Sequence, residues 1–216
     1  VEPVKPKRRY DSPRRREQAA ATRTAILEAA QRLFEQHGYT ATTMAAIAAE
    51  AGVSLKTVYV AFATKGGVLR GLWHLLIRGD QLDVPVGERP WYREVLDEPD
   101  PDRQLRLNAR NSRIVKQRAG MLLDVFRTAA PTDPDIDELW TRVQTEFYDN
   151  QRVIVESLAA KGALAPGLDV TRATDILWTL NHPIQWQLLV IERGWTPAEY
   201  ERWFADTACA QLLRSA

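Results

Sequence analysis

Apolar residues recur at helical spacing along nearly the whole sequence, and no stretch alternates with the period of two that a half-buried strand would show. Ile26, Ala30, Leu33 and Phe34 fall at i, i+4, i+7 and i+8. Met44, Ile47, Ala48 and Ala51 repeat the spacing, as do Val68, Leu69, Leu72, Trp73 and Leu76. Further along, one stripe runs through Leu139, Val143, Phe147, Ile154 and Leu158, and another through Tyr200, Trp203, Phe204, Thr207, Ala208 and Gln211. Helix starts are written in the same chemistry: Asp100-Pro101 and Asp133-Pro134 each set a capping carboxylate before a proline at the first helical position, and Thr196-Pro197-Ala198-Glu199 reads as a capping box. The chain is therefore expected to be all-α. With 45% apolar residues and only 11 Gly and 12 Pro among 216 residues, it can bury a substantial core.

Proline and glycine divide the chain. Residues 1–16 carry Lys5, Lys7, Arg8, Arg9, Arg14, Arg15 and Arg16 with three prolines, the composition of a disordered basic arm. Such an arm is either a solvated tail or a segment that follows a DNA groove or phosphate backbone. Residues 17–82 hold short helices interrupted at Gly38 and at Gly52-Val53-Ser54, then the start of a connector helix that Thr64 caps. Isolated helices below about 12 to 15 residues are marginal, so these must pack on one another. Residues 83–101 bring Pro85, Pro90, Pro99 and Pro101 without a helical period, which places the boundary of a rear domain, 83–216. There, residues 169–192 are expected to form a helix kinked at Pro183.

Charge is distributed unevenly between these parts. The net charge of +1 conceals 13 Lys and Arg against 7 Asp and Glu in residues 1–80, a net of +6, and 16 against 21 in residues 81–216, a net of −5. A basic front and an acidic rear point the front toward a polyanion, either nucleic acid or an anionic surface.

The segment from Thr42 to Lys65 decides between them. Ile47, Ala51, Val53 and Val58 supply apolar contacts, Ala48 is small where a second helix crosses, and Gly52 can take a positive φ in the turn. The second helix then begins at Ser54 and shows Ser54, Lys56, Thr57 and Tyr59 on a polar outward face, fit to enter a major groove.

This segment, within a stretch from about Thr22 to Trp73, resembles the TetR (tetracycline-repressor-like) family of transcriptional regulators. The matching residues are Ala25-Ile26-Leu27-Glu28-Ala29-Ala30, Leu33-Phe34, Gly38-Tyr39, Thr42-Thr43-Met44, Ile47-Ala48, Ala51-Gly52-Val53-Ser54, Thr57-Val58-Tyr59, Phe62, Lys65 and Leu69. The rear matches by helical layout only. The resemblance implies a three-helix helix-turn-helix DNA-binding domain, joined by the connector helix to a helical ligand-sensing and dimerisation domain. It implies a homodimer paired through the last two helices, a palindromic double-stranded DNA operator, and repression relieved or modulated by a small organic effector. By the same resemblance Thr43, Tyr59 and Lys65 would contact phosphates, while Ser54, Leu55, Lys56, Thr57 and Val60 would face the groove. Lysine at position 56 can donate to guanine. The chain departs from the family pattern at Lys56, often glycine, at Val60-Ala61, usually an aromatic pair, and at Gly66-Gly67, usually acidic.

In the rear, aromatics at helical spacing (Phe126, Trp140, Phe147, Tyr148, Trp178 and Trp186) are core residues of which some can wall a pocket. Phe126, Trp140, Phe147 and Trp178 are the expected wall, with Arg110, Arg113, Asn150 and His182 as polar contacts. His182 beside Pro183 could be such a contact, but a lone histidine in an apolar stretch is more often a hydrogen-bonded structural residue. Residues 176–191 and 200–213 are apolar enough to form a subunit seam.

Other classes find less support. His37, His74 and His182 lie far apart, no HExxH or glycine-rich phosphate loop occurs, and no nucleophile motif is present, so no catalytic residue, metal site or cofactor is expected. A lone Cys209 excludes an intramolecular disulfide and suits a reducing cytoplasm. No run approaches the roughly 18 to 20 apolar residues of a membrane span. Sequence-independent architectural DNA binding remains the competing function.

Overall fold

The computed structural model describes residues 13–78 and 86–214, and every described element but one isolated β-bridge is helical. The helices are α1 (Pro13–Ala41), α2 (Met44–Glu50), α3 (Leu55–Phe62), α4 (Lys65–Arg78), α5 (Pro90–Asp97), α6 (Pro101–Ala129), α7 (Pro134–Ala160), α8 (Val170–Asn181), α9 (Pro183–Trp186) and α10 (Pro197–Leu212). Most of the expected caps form: Asp100 accepts from the Arg103 amide, Asp133 from the Asp135 amide, and Thr196 and Glu199 close the capping box. Gly38 interrupts α1 with φ 77°.

Three expectations change. The disordered arm is expected to reach residue 16, but α1 begins at Pro13, since proline loses no hydrogen bond in a first helical turn; residues 1–12 of the arm lie outside the described residues. Residues 86–101 are expected to lack helix, yet a 3₁₀ turn, Val86–Glu88, leads into α5. Pro90 is a helix starter rather than a breaker, and Tyr92 and Val95 are buried beneath it. The helix expected over 169–192 is broken rather than kinked. His182 is extended at φ −63° and ψ 139°, Pro183 starts α9, and a π-helical turn spans Gln187–Glu192.

Two cores result. The first joins Ile26, Phe34, Ile47, Val58, Phe62, Leu69 and Leu72 of the front helices to Leu122, Phe126, Ile136 and Leu139 of α6 and α7. The second gathers Leu105, Ala109, Ile154, Leu158, Leu177, Trp186, Tyr200, Phe204 and Leu212. Each fully buried large side chain contributes about 1.5–3 kcal/mol. Both cores share α6 and α7, so these two long helices tie the front helices, the head, to the rear body.

Candidate nucleic-acid interface and internal cavity

The turn between α2 and α3 bends the chain by 111°. Thr43 caps α2 by accepting from the Ala46 amide at 3.1 Å, and its hydroxyl proton stays available to a phosphate oxygen. Gly52 takes φ 66°, and the amide of Val53 returns to the Ala48 carbonyl at 3.0 Å. Ser54 then caps α3, accepting from the Thr57 amide at 3.1 Å. Val58 and Phe62 face inward. On the opposite side Leu55, Lys56, Tyr59 and Val60 are exposed, Val60 at 80%, and none of the described residues covers them. A methyl-bearing, amine-bearing ridge of this kind matches the thymine methyl groups and guanine acceptors of a major groove.

The end of α3 is held tightly. Arg23 donates to the Ala61 carbonyl at 2.6 Å and lies 4.0 Å over the Phe62 ring, a support not foreseen from the sequence. Ala63 carries φ 58°, and a Cβ on Gly67 would stand 2.1 Å from the Phe62 carbonyl oxygen. The glycine at 67 therefore has a steric cause, whereas a Cβ at Gly66 would meet only ordinary contacts, the nearest at 3.5 Å. Lys65 is also accounted for. Its ammonium donates to the carbonyls of Tyr39 at 2.8 Å, Thr42 at 3.0 Å and Thr40 at 3.5 Å, and lies 4.2 Å over the Tyr39 ring. All three protons are thus taken by the carbonyl-rich end of α1, where a helix terminus favours a cation. Burial lowers the Lys65 pKa, with the Asp133 charge opposing. Its ammonium thus ties the start of α4 to the end of α1.

Behind the head, α5, α6, α7 and the α8–α9 break enclose a cavity of about 130 Å³. Its apolar wall includes Trp91, Tyr92, Val115, Leu123, Val143 and Phe147, and Trp73 of α4 reaches it from the head side. Its polar wall includes Asn108, Ser112 and Lys116 of α6, Gln144, Asn150 and Gln151 of α7, and Asn181 of α8. Lys116 is 5% exposed; its ammonium donates to Ser112 Oγ and Asn181 Oδ1, both at 2.6 Å, and to the Asn181 carbonyl at 2.8 Å. Burial pushes its pKa down to about 7. Asn108 Nδ2 is buried with no hydrogen-bond partner.

Residues 26–72 match the family model described as bacterial regulatory proteins, tetR family. The HTH-type transcriptional regulator TtgR of Pseudomonas putida is 30% identical over 209 residues, covering 94% of this chain and 96% of that protein. The chain belongs to the TetR family. A probable HTH-type regulator of Pseudomonas putida, ArpR, is likewise 30% identical, over 74% of this chain and 76% of its own. Among solved structures, the SmeT–triclosan complex superposes with a TM-score of 0.71 at 19% identity, covering 91% of this chain and 93% of that one. The relation to TtgR spans the rear as well as the head, further than helical layout alone had indicated.

In this TetR-family regulator, a DNA-binding transcription factor rather than an enzyme, Thr43, Ser54, Leu55, Lys56, Tyr59 and Val60 of the head are exposed, while Thr57 and Lys65 are half-buried. The expected cavity residues scatter. Phe147 and Asn150 line it. His182 stands just behind, with Nε2 at 3.2 Å from Gln144 Nε2, and Nδ1 accepting from the Ile184 amide; burial lowers its pKa, followed by the Lys116 charge. Trp178 lies off the cavity, edge-on to His182 at 5.0 Å. Phe126 is fully buried in the head-side core, stacked on Trp140 at 6.4 Å, and Trp140 lines only a shallow outer depression with Tyr148. Arg110 is exposed and outside the cavity, and Arg113 is bound to Glu201. Helical period shows that Phe126 and Trp140 turn inward but not toward which core. Lys116 was missed. A signal existed: Asn108, Ser112 and Lys116 recur every four residues on the inward side of α6, beside Leu105, Ala109 and Leu123.

Of the two expected seam segments, α10 turns Tyr200, Phe204, Ala208 and Leu212 into its own core. Ile184, Leu188 and Ile191, by contrast, are exposed at i, i+4 and i+7 along α9 and the π turn. Among the described residues no single helix is long and apolar enough to cross a membrane, and no cluster of His, Cys, Asp and Glu could hold a metal ion.

Proposed function

We propose that the chain acts in the cytoplasm as a homodimeric repressor, its two α3 helices reading the half-sites of a palindromic operator. A small organic effector in the cavity would shift operator binding. The outward ridge of Leu55, Lys56, Tyr59 and Val60 carries this reading, being apolar and cationic at once and uncovered by the described residues. Lys56 is assigned to a base edge, Thr43 and Tyr59 to phosphates, and Ser54, Leu55, Thr57 and Val60 to the groove. Pairing is assigned to the Ile184, Leu188 and Ile191 stripe together with the outer side of α10. The functional division stays at residue 83, with 17–82 reading DNA and 83–216 sensing and pairing. SmeT, described as the repressor of the Stenotrophomonas maltophilia multidrug efflux pump SmeDEF, shares the fold at a TM-score of 0.66, and its triclosan complex makes ligand control a reasonable extension to this chain.

Selection of the purified protein on random duplex DNA at physiological salt tests the reading. A palindrome with half-sites about 34–36 Å apart is expected. Salt-sensitive binding without any enriched palindrome would refute operator recognition and leave architectural binding in its place.

A further inference from the structure

We infer that the cavity takes a small aromatic organic anion, its charged group seated between Lys116 and Asn108 and its ring against the wall of Trp91, Val143 and Phe147. This rests on the reading of the cavity as an effector site. The polar end holds a cation among neutral dipoles. Ser112 Oγ, the Asn181 carbonyl and Asn181 Oδ1 take all three ammonium protons, which solvates the charge without neutralising it. Among the described ion pairs none includes Lys116, and among the described residues the one carboxylate on the cavity wall, Glu146, is exposed on α7.

The second observation is independent. Asn108 is on the same wall, and its Nδ2, a donor, is buried with no acceptor. Leaving such a group unsatisfied is costly, and an acceptor on a ligand removes the penalty. By bonding Ser112, Lys116 brings its charge back one helical turn, to within about one further turn, roughly 5.4 Å of rise, of Asn108. Among the described residues, a cation without a counter-ion and a donor without an acceptor thus lie two helical turns apart along one wall of α6, and a carboxylate answers both. It would displace Asn181 Oδ1 and take over the Ser112 hydroxyl that now donates to that oxygen, while the Asn181–Gln151 bond, made by Nδ2, stays in place. The size agrees: a cavity of about 130 Å³ is close to the roughly 150 Å³ that admits benzene in an engineered core.

Matched pairs that differ only in charge test the assignment: benzoate and benzamide, phenylacetate and phenylacetamide, 2-naphthoate and 2-naphthamide. Binding to the full chain is measured by calorimetry at pH 6.5, alongside release from the selected operator. In at least one pair the acid should bind tenfold or more tightly than the amide. Lys116→Met should abolish that preference while leaving amide affinity within about threefold, and Lys116→Gln, which keeps a donor, should do the same. Amides binding as tightly as their acids, an acid preference surviving both substitutions, or no acid binding at all would each overturn the assignment. The two readouts separate it from the effector reading. Acids that bind through Lys116 without releasing operator leave the anion site standing and refute effector control, whereas amides that bind and release operator do the reverse.

Discussion

Replacing Lys116 by methionine should make the protein more stable at neutral pH and remove a pH dependence that the native chain shows. Burial brings the lysine from its ordinary 10.5 down to about 7. Between those values the unfolded chain holds a proton that the folded chain has released, so stability rises with pH, by about 1.4 kcal/mol per unit where the difference is a full proton. From pH 7.5 to 9.5 the group adds about 2 kcal/mol. Methionine fills similar space without a charge to desolvate, and such replacements of buried ionic groups stabilise by about 1–4 kcal/mol. The variant should lead the native chain by that order at pH 7.5 and lose most of its lead by 9.5. Other titrating groups do not confuse the comparison. Lys116 lies near Tyr200 of α10, 5.4 Å from its ring centroid, near His182 at the α8–α9 break, and on a wall that Glu146 shares. Tyr200 is pushed up and His182 down, both away from the window. Cys209, pushed up to about 12, stays protonated when folded and so opposes the trend, but equally in both proteins. Urea unfolding at one fixed protomer concentration, at both pH values, measures the difference. Parallel pH slopes for the two proteins would refute the burial argument.

The head offers sharper contrasts. Lys56→Ala should weaken the selected operator by about 1–3 kcal/mol in a gel-shift titration while leaving scrambled duplex little changed. Lys65→Ala should instead lower the melting temperature, through about 1–2 kcal/mol lost with its carbonyl contacts; an unchanged melting curve with weakened phosphate binding would restore it to the DNA surface. Gly67→Ala forces a Cβ to 2.1 Å from a backbone oxygen and should cost about 3 kcal/mol, visible by circular dichroism, and a native-like melt would contradict the tight α3–α4 turn. Leu188→Glu should turn the proposed dimer into a monomer in sedimentation, and a persisting dimer would move the interface elsewhere.

Local chemistry was legible in the sequence, and long-range placement was not. Asp100, Asp133 and Thr196 announced their helices because a cap is made between residues only two or three positions apart. The turn at Gly52 was readable for the same reason. Pro90 misled because a proline means opposite things inside a helix and at its first residue. Lys116 stands among Arg113, Gln117 and Arg118 in sequence, and its burial depends on Asn181, 65 positions away. The partners of Lys65 within the chain are backbone carbonyls, which carry no sequence signature. Phe126 and Trp140 were correctly inward and wrongly assigned, because α6 and α7 each serve two cores.

Asp133 does two things at once: one carboxylate oxygen caps α7 through the Asp135 amide, and the other accepts the hydroxyl of Tyr39 at the head end of α1. Phe147, on the cavity wall, is 14 residues further along the same uninterrupted helix, a rod of about 21 Å. Pivoted at the cavity, a tilt of about 5° would sweep its tip through about 2 Å, and in the proposed twofold dimer that becomes about 4 Å between the heads, set against an operator pitch of about 34 Å. Under that proposal the helix would be a pointer whose short stroke at a ligand becomes a misfit on DNA, with the Tyr39 hydroxyl as the pin that keeps it engaged.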